Sequence, residues 1–461
     1  MTHRRSRRRL GAVVATLLVG ATALAACGSS SSKNSAASTT TAAAAPSAPT
    51  VKAYGPGVTA TTVKVGVLLI DYSCVKQFVD SIRENEKQTD TQFINYINDH
   101  GGVAGGKKIV PVFQSVCPVT NTGELAACTS FTEDDKVFAV WGTFYDPSGD
   151  AQLCFTKQHH TPIIADELTQ ALADQVPGGL IVTPDITPER RLRVILSLLA
   201  KHNTLKGKTV AILGENTAKP RIDSVVKPAL KKMGVKTGAE ALLTISGSDT
   251  SAAQQQVQSF IEKWKTQGVN ALVLIGDAAS SKQFVLEVRK AMPNVLLVAD
   301  TTAVLDSAKD EQKAGVKPNP YDGIITAEGQ TGTQHQQSPH GVFCHNIYES
   351  ITGQKMPDPD GIVKDKHGQR LDLYGQIEDA CLYPEMFKQI ADRAGPYLNA
   401  QNWENAVNHF GHIEDMSTVY ASLHQGKYDA DDTYGLVAYD PSIPTLGDWK
   451  QLSPIENVGN A

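Results

Sequence analysis

Val63-Lys64-Val65-Gly66-Val67-Leu68-Leu69-Ile70 is the stretch on which the fold turns. A short apolar run rich in β-branched residues, followed at once by Asp71-Tyr72-Ser73-Cys74, reads as a strand that enters a buried sheet and ends in a loop. A long helical pattern comes next, with Phe93, Ile94 and Ile97 as its apolar stripe and Gly101-Gly102 as its stop. Residues 109–113 read as a second strand, 125–131 as part of the next helix, 137–141 as a third strand and 162–165 as a fourth. Strands separated by helical segments predict a parallel sheet with helices on both faces.

The pattern then restarts. Residues 209–213 predict a strand, 223–233 a helix, 239–245 a strand and 252–266 a helix. A strand over 271–275, a helix through 284–290 and a strand over 295–299 complete a second series. The chain is therefore expected to be α/β, with two halves rather than one long sheet. After a stretch at 321–327 come helices around 342–351 and 376–394, and a strand-like tail over 434–440. Helices this late must pack on something already built, so they are expected to return to the first half. That return makes both lobes discontinuous and creates several hinge strands.

The first fifty residues read differently. Arg4, Arg5, Arg7, Arg8 and Arg9 precede an uncharged apolar run over residues 10–26, the order of an export signal. The run is shorter than the roughly 20 residues of a spanning helix. It ends in Leu24-Ala25-Ala26-Cys27-Gly28, which resembles a bacterial lipobox, and that resemblance implies cleavage before Cys27 and a diacylglycerol on its thiol. The arginine cluster leaves the Sec and twin-arginine routes both open. Residues 28–50 are nearly all Ser, Thr, Ala, Asn, Gly and Pro, a composition that buries nothing and forms a tether. The expected layout is signal peptide 1–26, lipidated Cys27 with tether to 60, and a folded body anchored outside the cytoplasmic membrane by lipid alone.

With 41% hydrophobic and 20% charged residues, the chain has the composition of a globular protein. It is formally −5, and loss of the signal takes five arginines and no acid, leaving 38 basic against 48 acidic residues. An acidic body of this kind has nothing to attract nucleic acid. Besides Cys27 there are six cysteines, Cys74, Cys117, Cys128, Cys154, Cys344 and Cys381. An even count in an exported chain predicts disulfides, and six cysteines allow 15 pairings, all open at this level.

Enzyme and cofactor motifs do not assemble. Gly207-Lys208-Thr209 would need a glycine where His202 stands and a helix where a strand follows, so it is no phosphate-binding loop. The glycines over 101–106 follow a helix instead of opening one, and no serine sits in a nucleophile elbow. His159 and His160 lack cysteines at ligand spacing, and His409, His412 and Glu414 lack a fourth ligand. No metal, no cofactor and no catalytic residue are expected.

The order of these segments resembles the type I periplasmic binding proteins, with the leucine/isoleucine/valine-binding branch nearest in pattern. The residues that carry the resemblance are the opening strand, Asn98-Asp99-His100-Gly101-Gly102-Val103-Ala104-Gly105-Gly106-Lys107-Lys108-Ile109, Val140-Trp141-Gly142, Thr161-Pro162-Ile163-Ile164, Gly207-Lys208-Thr209-Val210-Ala211-Ile212 and Tyr428-Asp429-Ala430-Asp431-Asp432-Thr433-Tyr434-Gly435-Leu436. It spans residues 63–449. The resemblance implies two Rossmann-like lobes with parallel sheets, joined by a three-strand hinge and closing over a ligand at the sheet edges. On that plan lobe 1 is 61–183 plus 330–417, and lobe 2 is 184–329 plus 418–461. It also implies the pairings Cys74 with Cys117, Cys128 with Cys154 and Cys344 with Cys381.

By position in such a fold, ligand contacts from the first lobe come from Asp71, Tyr72 and Ser73, from Thr143, Phe144, Tyr145 and Asp146, and from Asp166, Glu167 and Thr169. From the second lobe they come from Ala218 and Lys219, Asp277 and Ala278, and Asp300 and Thr301. Acids at these loops would repel an α-carboxylate, which argues against a simple amino acid. Aromatic rings with carboxylates suit a polyol, a sugar-like molecule or a cation, so the partner is a small polar solute. Each acid also has a plainer reading as a solvated loop end or a helix N-cap. Two functions fit one closing cleft: a monomeric receptor that delivers solute to an ABC permease, or a sensing module for a membrane signalling partner.

Overall fold

The computed structural model describes residues 50–76, 81–118, 121–144, 148–244, 250–330, 334, 337–358, 363–415, 418–444 and 446–459. Cys27, the signal and most of the tether lie outside them, as do Tyr145 and Asp146.

The first sheet has five parallel strands in the order Lys108–Val116, Thr62–Ile70, Ala139–Gly142, Ile163–Ala165 and Ile181–Val182. Thr62–Ile70 sits in the interior, with Val65 opposite both Pro111 and Ala139 in register. Burial on both faces explains why its sequence is nearly continuous in apolar residues: Val63, Val65, Val67 and Leu68 are all buried. Ile181–Val182 was not read from the sequence, because two residues carry no period.

The second sheet runs Asp448–Gln451, Thr433–Asp440, Ile325–Glu328, Leu296–Ala299, Ala271–Ile275, Thr209–Glu215 and Lys236–Thr237, with Ala241–Leu243 also on Thr209–Glu215. It is parallel from Ile325–Glu328 onward, and Thr433–Asp440 joins antiparallel to both its neighbours. Its faces carry two cores, one around Trp264, Phe284 and Leu297 and the other around Leu192, Ile212 and Val273. The second core uses helix Pro188–Lys201, which the sequence reading passed over. Its start is conventional: the Thr187 hydroxyl accepts from the Arg190 N–H at 3.4 Å, and Pro188 stands in the first turn.

Some boundaries moved. Within the stretch at 321–327 the strand begins at Ile325, because the Asn319 side chain accepts the Tyr321 N–H at 3.0 Å and holds that residue in a turn. The helix expected from 223 begins at Lys219, directly after the loop that follows Thr209–Glu215.

The late helices return to the first lobe. Helix Leu373–Ala394 gives Tyr383, Met386, Phe387 and Ile390 to the first sheet's core, where Phe387 stacks on Trp403 at 5.7 Å between centroids. Its opening turns pack Ile377 and Cys381 against Phe93, Cys344 and Ile347. The disulfides join Cys74 to Cys117, Cys128 to Cys154 and Cys344 to Cys381, with Cα separations of 6.0, 6.3 and 5.9 Å. Among the described residues the chain crosses between the two sheets over 183–187 and 424–432, and it changes lobe again between strand Ile325–Glu328 and helix Pro339–Thr352.

Candidate functional site

A parallel strand leaves its last residues and the following loop at the sheet's carboxyl edge, where ligands of open α/β sheets sit. The carboxyl edges of both sheets here line one cavity of about 470 Å³. From the first sheet come Ile70, Tyr72, Thr143 and Asp166. From the second come Thr302 and Glu328, and from the crossovers and the strand beyond them Pro184, Asp185, Asp431 and Tyr434. Helix Leu373–Ala394 adds Glu378, Asp379, Leu382 and Tyr383, four residues that one face of a helix presents together. Arg83, Arg191 and Asp372 complete the lining.

Gly142 explains how the third strand reaches the site. Its φ is +136°, and a Cβ there would lie 2.2 Å from the Leu68 carbonyl oxygen. Only glycine lets the chain bend at this point and carry Thr143 into the cavity.

The site is rich in carboxyl groups. The Arg83 guanidinium binds Asp372 at 3.0 Å and Asp379 at 2.6 Å, and approaches Glu86 at 3.7 Å. Arg191 reaches Asp185 at 3.4 Å and lies 5.9 Å from the Tyr434 ring. Asp166 accepts the Phe144 N–H at 2.9 Å, Glu328 that of Gly329 at 2.9 Å and Asp431 that of Thr433 at 3.2 Å. Burial, only partly offset by Arg191, pushes Glu328 up to about 7, and burial does the same to Asp431. Glu378 rises to about 8, again chiefly through burial. Burial also lifts Asp166 and, against the pull of Arg83, Asp379.

Of the residues expected at the site, Tyr72, Thr143 and Asp166 line this cavity. Asp71 caps the 3₁₀ turn Tyr72–Cys74 by accepting the Ser73 N–H, and Ser73 is exposed. Phe144 is buried in the core edge-on to Phe155, 5.9 Å between centroids. Glu167 is exposed, and Thr169 caps helix Gln170–Ala173 through the Leu172 N–H. Ala218 is fully buried in a hydrophobic core and Lys219 pairs with Asp223 at 2.8 Å, so neither lines the cavity. Asp277 and Ala278 open helix Asp277–Ser280, with side chains outside the described residues. Asp300 is buried and accepts the Gly276 N–H at 2.9 Å, clamping two loops; Thr301 accepts the Ala303 N–H, and its neighbour Thr302 reaches the cavity instead.

Sequence reasoning missed the acids and arginines brought in from elsewhere. Arg83 meets Asp372 and Asp379 across 289 and 296 residues of chain. The available signal was the pair Glu378-Asp379 inside an otherwise apolar helical stretch. A larger groove of about 950 Å³ lies on the second lobe between residues 193 and 236, and no residue of the first sheet lines it.

No family model matches the sequence, and no curated protein does. Solved structures do resemble it. A solute-binding protein of an ABC transporter from R. palustris, in complex with 4-hydroxybenzoate, superposes with a TM-score of 0.60 at 15% identity, over 86% of this chain and 98% of that one. The branched-chain amino acid transporter substrate-binding protein from Streptococcus pneumoniae, in complex with isoleucine, gives 0.56 at 14% identity, over 86% and 100%. A fatty acid ABC transporter substrate-binding protein from Thermomonospora curvata gives 0.57 at 15%, over 88% and 95%. Superposition over nearly the full length of these structures, together with the two sheets described above, gives this chain the type I periplasmic binding protein fold.

Proposed function

We propose that the chain is an extracytoplasmic solute-binding lipoprotein that takes a small polar molecule into the interlobe cleft and delivers it to an ABC importer, without chemical change. One observation carries the reading: a cavity of about 470 Å³ lined from both sheets and from the first and third crossovers. That volume lies in the usual range for small-molecule sites, about 300–1,000 Å³. The lobes are taken as 61–183 with 330–417 and 184–329 with 418–461, hinged at the crossovers. A solute that touches both lobes favours the closed arrangement by the difference between its two-sided and one-sided contacts, and the closed form is what a permease can recognise.

The mature chain, screened by thermal shift against amino acids, polyols, sugars, amines and aromatic acids, should show a raised Tm with at least one class. Small-angle scattering of that complex should show a smaller radius of gyration, and mass spectrometry should recover the solute unaltered. A screen with no stabilising solute, or a recovered product, would overturn the reading. Among the described residues no helix is long and apolar enough to cross a membrane. The lipobox-like run ending at Cys27 assigns membrane residence to its acyl chains, which supply about 0.8 kcal/mol per buried methylene, and Cys27→Ala should move the protein from the membrane fraction to the medium.

A further inference from the structure

Acids outnumber bases in the lining of the cleft. Seven carboxyl groups and two guanidiniums line it. Arg83 is taken by Asp372 and Asp379, and Arg191 has Asp185. Asp166, Glu328, Glu378 and Asp431 form no ion pair among the described residues. They come from four separate segments: the loop after the fourth strand of the first sheet, the end of Ile325–Glu328, helix Leu373–Ala394 and the third crossover. They therefore reach the cavity from both sheets' ends, the long helix and the third crossover.

We propose that the solute is an organic cation with at least two separated positive charges, such as a diamine or a guanidino-amine. The inference rests on the cleft being the solute site. Before a guest enters, burial holds Glu328, Glu378 and Asp431 wholly or partly protonated near neutral pH, and a guest that brings positive charge lets them ionise and pair with it. An anionic solute would drive the same groups further toward their neutral form and gain no ion pair from them. The cavity also holds Tyr72, Tyr383 and Tyr434, and aromatic rings beside carboxylates add attraction for ammonium or guanidinium groups. A single metal ion suits the site less well. Among the described residues, the close-set groups of metal-binding side chains all include disulfide sulfurs and lie elsewhere. Four carboxyls from separate segments in a cavity of about 470 Å³ give room and partners for more than one positive charge on a carbon chain.

Titration calorimetry of the mature chain with putrescine, agmatine and spermidine tests this, with 4-amino-1-butanol, leucine, 4-hydroxybenzoate and myo-inositol as comparators. At least one dication should bind about tenfold or more tightly than the monocation 4-amino-1-butanol. Glu328→Gln and Glu378→Gln should each weaken the dication by about tenfold, while circular dichroism shows both variants folded. Tighter binding of a neutral or anionic comparator, altered by the same substitutions, would overturn the charge inference and leave the cleft as the solute site. Dication binding that both substitutions leave unchanged would overturn the charge inference too, by placing the cation elsewhere. Failure of every solute would remove the cleft reading itself.

Discussion

Single residues set the cleft's edge. At Gly142 a side chain would meet the Leu68 carbonyl oxygen, and the left-handed φ would remain strained even if the strand moved. Gly142→Ala is expected to cost more than about 1 kcal/mol in urea denaturation and to weaken solute binding through Thr143. A variant of unchanged stability would show that the bend does not depend on glycine. The disulfide Cys344–Cys381 acts at the same scale by tying together two helices 37 residues apart in sequence. Replacing both cysteines by serine should lower unfolding free energy by about 3–4 kcal/mol, because the bond restricts the unfolded chain. Some of this scale was legible beforehand: Tyr72, Thr143 and Asp166 follow strands whose apolar runs announce themselves. Asp71 and Thr169 follow strands equally well, yet each turns its oxygen to a backbone N–H of its own loop, and that choice depends on local dihedrals rather than on residue type.

At the scale of elements, the first and third crossovers are bolted together. The Arg190 guanidinium meets Asp429 at 3.0 Å and Asp432 at 2.5 Å, and Lys427 meets Asp432 at 3.0 Å, all of them buried. Asp429 also accepts the Thr187 N–H at 2.8 Å and its hydroxyl at 3.1 Å. Burial, with Arg190 alongside, pulls the Lys427 ammonium below its ordinary value. Removing one member strands a buried charge, so Arg190→Ala should destabilise by about 3–5 kcal/mol, read from chemical denaturation. A loss below 1 kcal/mol would mean the network is not structural. The segment 428–436 stood out in the sequence, but nothing in it names Arg190 or Thr187 as partners, because about 240 residues intervene and only the fold closes that distance. Helix Pro188–Lys201 was missed for a related reason: it is flanked by short strands and crossovers, and its stripe became meaningful only once a second sheet lay beneath it.

At the scale of the molecule, the acid-lined cleft makes stability depend on pH. Glu328 and Asp431 stand near 7 and Glu378 near 8, while unfolded carboxyls titrate near 4. In that interval the folded chain binds more protons than the unfolded one, so this contribution is complete below the unfolded value and lost as pH rises through 7 and 8. Half-buried His340 and His345, both lowered by burial, act in the opposite sense, but their effect is complete above about 6.5. The ligand-free melting temperature should therefore fall between pH 6.5 and 9, and Glu378→Gln should flatten the fall by roughly 2 °C in calorimetry. A curve that rises across that range would contradict the assignment of buried neutral acids. The sequence by itself determined the α/β class, the two halves and the late helices' return to the first lobe, because periodicity and strand order are local signals that survive in one dimension. Tertiary structure alone decided which further charges join Asp166 in the cleft, since Arg83, Glu328, Glu378 and Asp431 reach it only after two sheets and a long helix have packed, and electrostatic neighbours are set by distance in space.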